Sequence, residues 1–271
     1  MSTILKFIKS MFVLFLICGL LFSSGVFSLL LYARISGKTF LAEASQTSVV
    51  LAEGSEDAPA QEEKPPAPPP LPASAMLDAP IIRQMPELPA GCEIVSLTML
   101  LNFYGIGKSK MELVDEMVKD PTPIRWSGGK IAYWGHPNTG YVGDVTGKSR
   151  GFGIYSAALL ETLKANIPTA VDLTGGPFEA IERQIADGFP VIVWTTIDFN
   201  VPQKWVEWDT PIGPIRTTFM EHAVLMVGYD EQNVYVNDPW SGKKALPIAK
   251  EQFKETWDVM GKQALSYTKA S

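Results

Sequence analysis

The residues of this sequence whose types and order could do chemistry are a thiol at Cys92, an imidazole at His222, a carboxylate or amide at Asp238 or Asn237, and the amide of Gln84. A thiolate attacks a carbonyl carbon, an imidazole moves the protons, a third group fixes the imidazole tautomer, and an amide N–H can hold the developing oxyanion. The chain has two cysteines and two histidines, so the search is short. Cys18 lies inside an apolar run. His136 sits in the Gly-rich "WGHPNTG" and precedes a proline, so it is poorly held for orienting a proton transfer. His222 opens "EHAVLMVGYD", where a strand would hold it firmly, with Val224 and Met226 on its face and Ala223, Leu225 and Val227 on the other. The plainer alternatives are a hydrogen-bonded core histidine and a small buried cysteine.

Cys92 stands in "ELPAGCEIVSLTMLLNFYG". Pro89 and Gly91 mark a turn into a helix, Gly105 is placed to cap its end, and the residues between are apolar on nearly all sides apart from Ser96, Thr98 and Asn102. The pattern predicts a central, buried helix with Cys92 in its first turn. The start of a helix carries about half a positive charge and unpaired N–H groups, which stabilise a thiolate and can bind an oxyanion. Glu93, negative and adjacent, opposes part of that stabilisation.

After the strand that begins at His222, "NVYVNDP" should return as the second arm of a hairpin. A two-residue loop at Glu231 and Gln232 places Asn237 on the face of His222, whereas a three-residue loop from Asp230 places Asp238 there, so spacing leaves both open. Gln84 could lend its amide beside the Cys92 backbone N–H; a loop glutamine without such a role is the plainer reading of that residue alone. Among the aromatics, Trp126, Tyr133, Trp134, Tyr141 and Trp194 are candidates to line a substrate groove, with core packing equally reasonable.

The elements that must hold these residues follow from periodicity. Helices are expected over 93–104, 110–118, 155–165, 177–187 and 250–260, and strands over 168–174, 190–197, 222–230, 233–239 and 263–268. A helix-rich first half followed by mostly consecutive strands predicts an α+β domain. The segment 125–155, dense in Gly and aromatics, is too long for a simple connector and reads as a binding surface or a packed loop.

With 271 residues, 46% of them hydrophobic, the chain can bury a core. Its formal net charge of −6 and scattered Lys and Arg argue against a nucleic-acid partner. No metal-ligand cluster or phosphate-binding Gly motif is present, so neither metal nor cofactor is expected. After a short segment 1–10, residues 11–33 run without a charge for long enough to cross a bilayer. The expectation is a single-pass anchor in the cell membrane with the bulk of the chain extracytoplasmic; cleavage as a signal, giving a secreted protein, is the alternative. Residues 34–75, rich in Pro, Ala and Glu and containing "KPPAPPPLP", read as a disordered stalk, and residues 76–271 as the folded domain.

With Gln84, Cys92, His222 and Asp238 in this order, and with "QMPELPAGCEIVSLTMLLNFYG", "AVDLTGGPFE", "PVIVWTTID", "EHAVLMVGYD" and "VYVNDPWSG" as successive blocks, the sequence resembles papain-like cysteine peptidases. It is more closely similar to the bacteriocin-processing, double-glycine-type peptidase-like family, in its stand-alone, membrane-tethered or secreted branch. The resemblance implies a papain-like fold, with a helix carrying the cysteine packed on a mainly antiparallel sheet. It implies Cys92 as nucleophile, His222 as general base and acid, Asp238 as orienter and Gln84 as oxyanion donor, acting on a peptide or protein substrate. The chain departs from the peptidase domains of bacteriocin exporters, which have a Gly directly after the cysteine, where Glu93 stands here, and no transporter shares the chain. The readings set beside a peptidase are a catalytically inactive tethered binding module of the same fold and a cell-wall amidase or transpeptidase.

Overall fold

The structure, a computed structural model, describes residues 69–269. Segment 1–10, the expected span 11–33 and the stalk as far as residue 68 lie outside the described residues. Among the described residues no helix is long and apolar enough to cross a membrane. In chain order the helices are α1 (Cys92–Tyr104), α2 (Lys110–Glu116), α3 (Ser156–Asn166), α4 (Phe178–Ala186) and α5 (Lys250–Val259). The strands begin with β1 (Ala75–Met76), β2 (Lys119–Asp120), β3 (Arg125–Ser127), β4 (Lys130–Tyr133), β5 (Tyr141–Gly143), β6 (Gly151–Gly153) and β7 (Ala170–Asp172). They continue with β8 (Val191–Thr196), β9 (Val206–Thr210), β10 (Gly213–Thr217), β11 (Glu221–Tyr229), β12 (Asn233–Asp238), β13 (Lys243–Ala249) and β14 (Ala264–Tyr267).

Helix α1 is the pillar of the domain. Every residue from Cys92 to Leu101 is buried, so the apolar surround read from the sequence is matched by protein on all sides. Gly105 ends it in the left-handed region (φ 104°), where a Cβ would be strained, and its N–H reaches the Leu101 and Asn102 carbonyls. The polar residues within the helix are all bonded. Ser96 Oγ donates to the Ala223 carbonyl (3.1 Å), tying the helix to β11, while Thr98 and Asn102 donate to carbonyls of their own helix.

The main sheet runs β13-β12-β11-β8-β14-β7 with every neighbouring pair antiparallel, and β1 adds to β11. Strands β8 and β11 are buried along their whole length because both faces of the sheet are covered. On one face Ala223, Leu225, Val227, Ile192 and Trp194 pack with α1 and α3. On the other, Val224, Met226, Val193 and Val236 pack with α4 and α5. The α+β architecture with the cysteine-bearing helix against a mainly antiparallel sheet is therefore present. Parallel pairing is confined to β2 with β5 and β4 with β9 in two small sheets.

Three differences from the sequence expectations concern position. The domain begins before residue 76: Leu71 packs into the core, Pro72 accepts from the Tyr229 hydroxyl (3.0 Å), and Ala75 pairs with Tyr229, so the last residues assigned to the stalk are part of the fold. The 125–155 segment contains β3 to β6, and β9, β10 and β13 are additional strands. A third core of Ile131, Trp134, Val142, Phe152, Trp208 and Ile215 lies under the small sheet β10-β9-β4-β3.

Candidate active site

The turn before α1 is held from several directions, so the cysteine sits at a fixed point. Gln84 N–H bonds the Pro239 carbonyl (3.0 Å), Leu88 N–H bonds the Gln84 carbonyl (3.0 Å), and the Tyr141 hydroxyl donates to the Ala90 carbonyl (2.6 Å). No side chain caps the start of α1, whose N–H groups are left for other use. Cys92 is 7% exposed and opens α1. Its Sγ donates to Glu93 Oε2 at 3.3 Å, and among the described residues it is not hydrogen-bonded to the His222 ring.

His222 lies near the start of β11, and its Nε2 is 2.8 Å from Asp238 Oδ1 on β12. Asp238 also accepts from the Trp240 N–H (2.9 Å) and from Ser241. With Nε2 held as the donor to a carboxylate, Nδ1 is left as the proton acceptor. Burial pushes Asp238 up, but the hydrogen bond and charge of His222, with Ser241 and the Trp240 N–H, outweigh it and bring its pKa to about 2. Which carboxylate or amide meets His222 is decided by a β-bulge. At the turn Tyr229 pairs with Val234, the register of the two-residue loop that favours Asn237; between Met226 and Gly228 it shifts by one, so that Met226 pairs with Val236 and Leu225 with Asn237. Val227 is the extra residue, and beyond it Asp238 shares the side of His222. Asn237 faces away, donating to the Ala79 and Pro80 carbonyls (3.0 Å each) and accepting from the Ala245 N–H (2.9 Å).

Gln84, Cys92, Glu221 and His222 line one cleft of about 120 Å³. Gln84 Nε2 donates to the Pro89 carbonyl (2.9 Å), and its Oε1 is buried with no partner. Phe152, Phe219 and Trp240 form the cleft's apolar walls. Phe219 also borders a larger cleft of about 600 Å³ with Trp126, Ile131, Trp205 and Arg150, whose guanidinium carbon lies 4.2 Å from the Phe219 ring centre. Of the aromatics named from the sequence as groove candidates, Trp126 lines the larger cleft, whereas Trp134, Tyr141 and Trp194 line neither. All three are at most 3% exposed; Trp194 Nε1 donates to the Ile154 carbonyl (3.1 Å) and Trp134 packs on Trp208. They support the site from beneath.

The site also contains a residue that sequence reasoning passed over. Glu221 is 7% exposed, and Cys92 Sγ and an oxygen from each of Glu93 and Glu221 lie within 4.8 Å of one another. The signal was there: a carboxylate heading a strand that is otherwise apolar around its histidine. Glu93 Oε1 accepts the Ile154 N–H (2.8 Å), and a Cβ on Gly153 would collide with that oxygen, so only glycine lets β6 approach. Burial pushes Glu93 up to about 7 against the pull of its own and the Ile154 N–H groups. Burial, then the charges of Glu93 and Glu221, push the Cys92 thiol well above its ordinary value. This is the compact Cys and carboxylate group among the described residues, and its thiol and Glu93 are already engaged with each other and with the backbone.

Residues 76–265 match the Peptidase_C39 like family. The uncharacterized protein YvpB of Bacillus subtilis (strain 168) is 36% identical over 192 residues, covering 70% of this chain and 74% of that protein. A crystal structure described as a C39-like peptidase from Bacillus anthracis is similar with a TM-score of 0.66 at 36% identity, covering 73% of this chain and 98% of that one. The match takes in α1, the whole of β11 and β12 and the cleft between them, and the chain belongs to the Peptidase_C39 like family.

Proposed function

We propose that this chain is a cysteine peptidase that cleaves a peptide or amide bond through an acyl-enzyme on Cys92. The observation that carries the reading is a thiol at the uncapped start of a buried helix lining one cleft with the His222 ring, which is hydrogen-bonded to Asp238. In this mechanism Sγ turns from Glu93 Oε2 toward His222 Nδ1, gives up its proton there and attacks the scissile carbonyl carbon. The carbonyl oxygen becomes an oxyanion, for which the Cys92 backbone N–H and the Gln84 amide are the donors. Collapse breaks the C–N bond, His222 returns the proton to the leaving amine, and water, deprotonated by His222, then cleaves the thioester to acid and thiol. Asp238 holds the ring so that Nδ1 stays the acceptor throughout.

The test is hydrolysis of a mixed peptide library by the purified full-length chain, read by mass spectrometry. Cys92→Ala and His222→Ala should each reduce the cleavage rate by about 10³-fold or more. Cleavage retained by Cys92→Ala sinks the reading. The rival of a binding module without turnover draws on the thiol's hydrogen bond to Glu93 and its raised pKa. It wins if Cys92 alkylates no faster than a free thiol and no peptide is cut.

The site's location belongs to the same proposal: residues 11–33 anchor the chain in a membrane and the domain works outside it. The charge-free apolar run and the Pro-rich segment after it support this. A chain starting at residue 34 should leave the membrane fraction, and an impermeant protease added to intact cells should degrade the full-length domain. Protection of the domain in intact cells would overturn it.

A further inference from the structure

Glu93 and Glu221 are buried ionisable groups to which the acyl-transfer steps give no task. Glu221 precedes His222 directly, yet its carboxyl lies with Cys92 and Glu93 while the His222 ring turns to Asp238. Its Oε1 is buried without a hydrogen-bond partner, and among the described residues neither carboxyl is in an ion pair. Gly153 brings backbone against both, since a Cβ there would meet Glu93 Oε1 and Glu221 Oε2. The titratable groups facing the pair are Cys92 from α1, Tyr141 from β5, Tyr155 ahead of α3 and His222 from β11. None is a fixed cation. Two carboxylates this close, out of water and without a counter-charge, repel strongly; one proton between them removes the repulsion.

We infer that Glu221 is a positioning residue of this site: it carries a proton shared with Glu93, so that the pair bears one negative charge, delivered to the thiol through Glu93 Oε2. That oxygen holds the Sγ–H in place and keeps the sulfur protonated until it turns to His222. The role rests on the reading of Cys92 as the nucleophile. Burial and then the Glu93 charge push Glu221 well above the ordinary carboxylate range, which agrees with a proton held there.

Two measurements on the purified full-length chain test it, and neither needs turnover. The first is the infrared C=O stretching band of a protonated carboxyl at pH 7.5, which should be present in the wild type and lost in Glu221→Gln. The second is the rate of alkylation of Cys92 by iodoacetamide at pH 7, read on its own peptide so that Cys18 does not contribute. Glu93→Gln removes the charge beside the sulfur and should raise the rate about tenfold for each unit by which the thiol pKa falls. Glu221→Gln should accelerate it several-fold less, because a glutamine amide reproduces a protonated carboxyl and not a charged one. Absence of the band in the wild type overturns the inference, and so does acceleration by Glu221→Gln equal to that by Glu93→Gln. If Glu93→Gln does not fold, the band and its loss in Glu221→Gln decide. A chain that passes both measurements but cuts no peptide loses the peptidase reading alone, and one that cuts peptides without the band loses only the shared proton.

Discussion

Asp238 and Glu93, the carboxyls bonded to the His222 imidazole and to the Cys92 thiol, are pushed by their surroundings in opposite directions, one to about 2 and the other to about 7. For Asp238 the folded value lies below the unfolded one, so its stabilisation is present above about pH 4 and is lost as pH falls toward 2. For Glu93 the folded value lies above the unfolded one of about 4.5, so the fold binds the extra proton and the domain loses stability as pH rises from about 4.5 through 7. The slope is at most about 1.4 kcal/mol per pH unit for each proton, and urea midpoints measured across that window should flatten in Glu93→Gln. A midpoint that rises with pH in this window would refute it. Asp238→Asn should leave the fold intact by circular dichroism but lower kcat by about 10²- to 10⁴-fold through the wrong imidazole tautomer. Cys92 and His222 were legible as candidates in the sequence because a thiol and a well-held imidazole are scarce there, whereas Gln84 gained its role only through the family resemblance. Glu221 was not legible, because a charge at the start of a strand ordinarily faces water, and it is α1, with Cys92 and Glu93, and β6 at Gly153 that close on it here.

The β11–β12 hairpin shows why the orienting residue could not be read from spacing. Its turn has the two-residue loop, yet Val227 adds one residue to β11 and reverses the parity beyond it. Deleting Val227 should carry the turn register through to the site, bring Asn237 to the side of His222 and free the Ala79 and Pro80 carbonyls that Asn237 holds. The expected outcome is a domain that has lost several kcal/mol and most of the proposed peptide cleavage, seen by thermal melting and by assay on a peptide library. Gly153→Ala should cost about 1–3 kcal/mol by overpacking against Glu93. The helices were legible because their caps and periodicity are local, as in the Ser109–Glu112 capping box of α2. Strand β13, an edge carrying Lys243, Lys244 and Pro247, and the β9–β10 hairpin, with Pro214 and Arg216, were not, since charged residues and proline hide the strand pattern although each strand pairs with its neighbour in sequence.

Across the domain, three cores divide the labour: one around α1 holds the thiol, one against α4 and α5 supports the opposite face of β11, and one under the β10-β9-β4-β3 sheet forms the wall of the larger cleft. The N-terminal boundary is where composition misled, because the Pro- and Ala-rich run continues past the point at which Leu71 and Pro72 join the fold. A chain starting at residue 77 should therefore melt lower than one starting at 69, by a free energy of about 1–3 kcal/mol for the lost burial and β1 pairing. Equal melting temperatures would show that β1 adds nothing. The last bond of that segment, Leu77 N–H to the Val227 carbonyl (2.7 Å), lands on the extra residue of β11. The chain leading back toward residue 1 is thus fastened to the point that sets which carboxylate His222 meets, and a mechanical load on it would reach the alignment of the His222–Asp238 pair through the bulge.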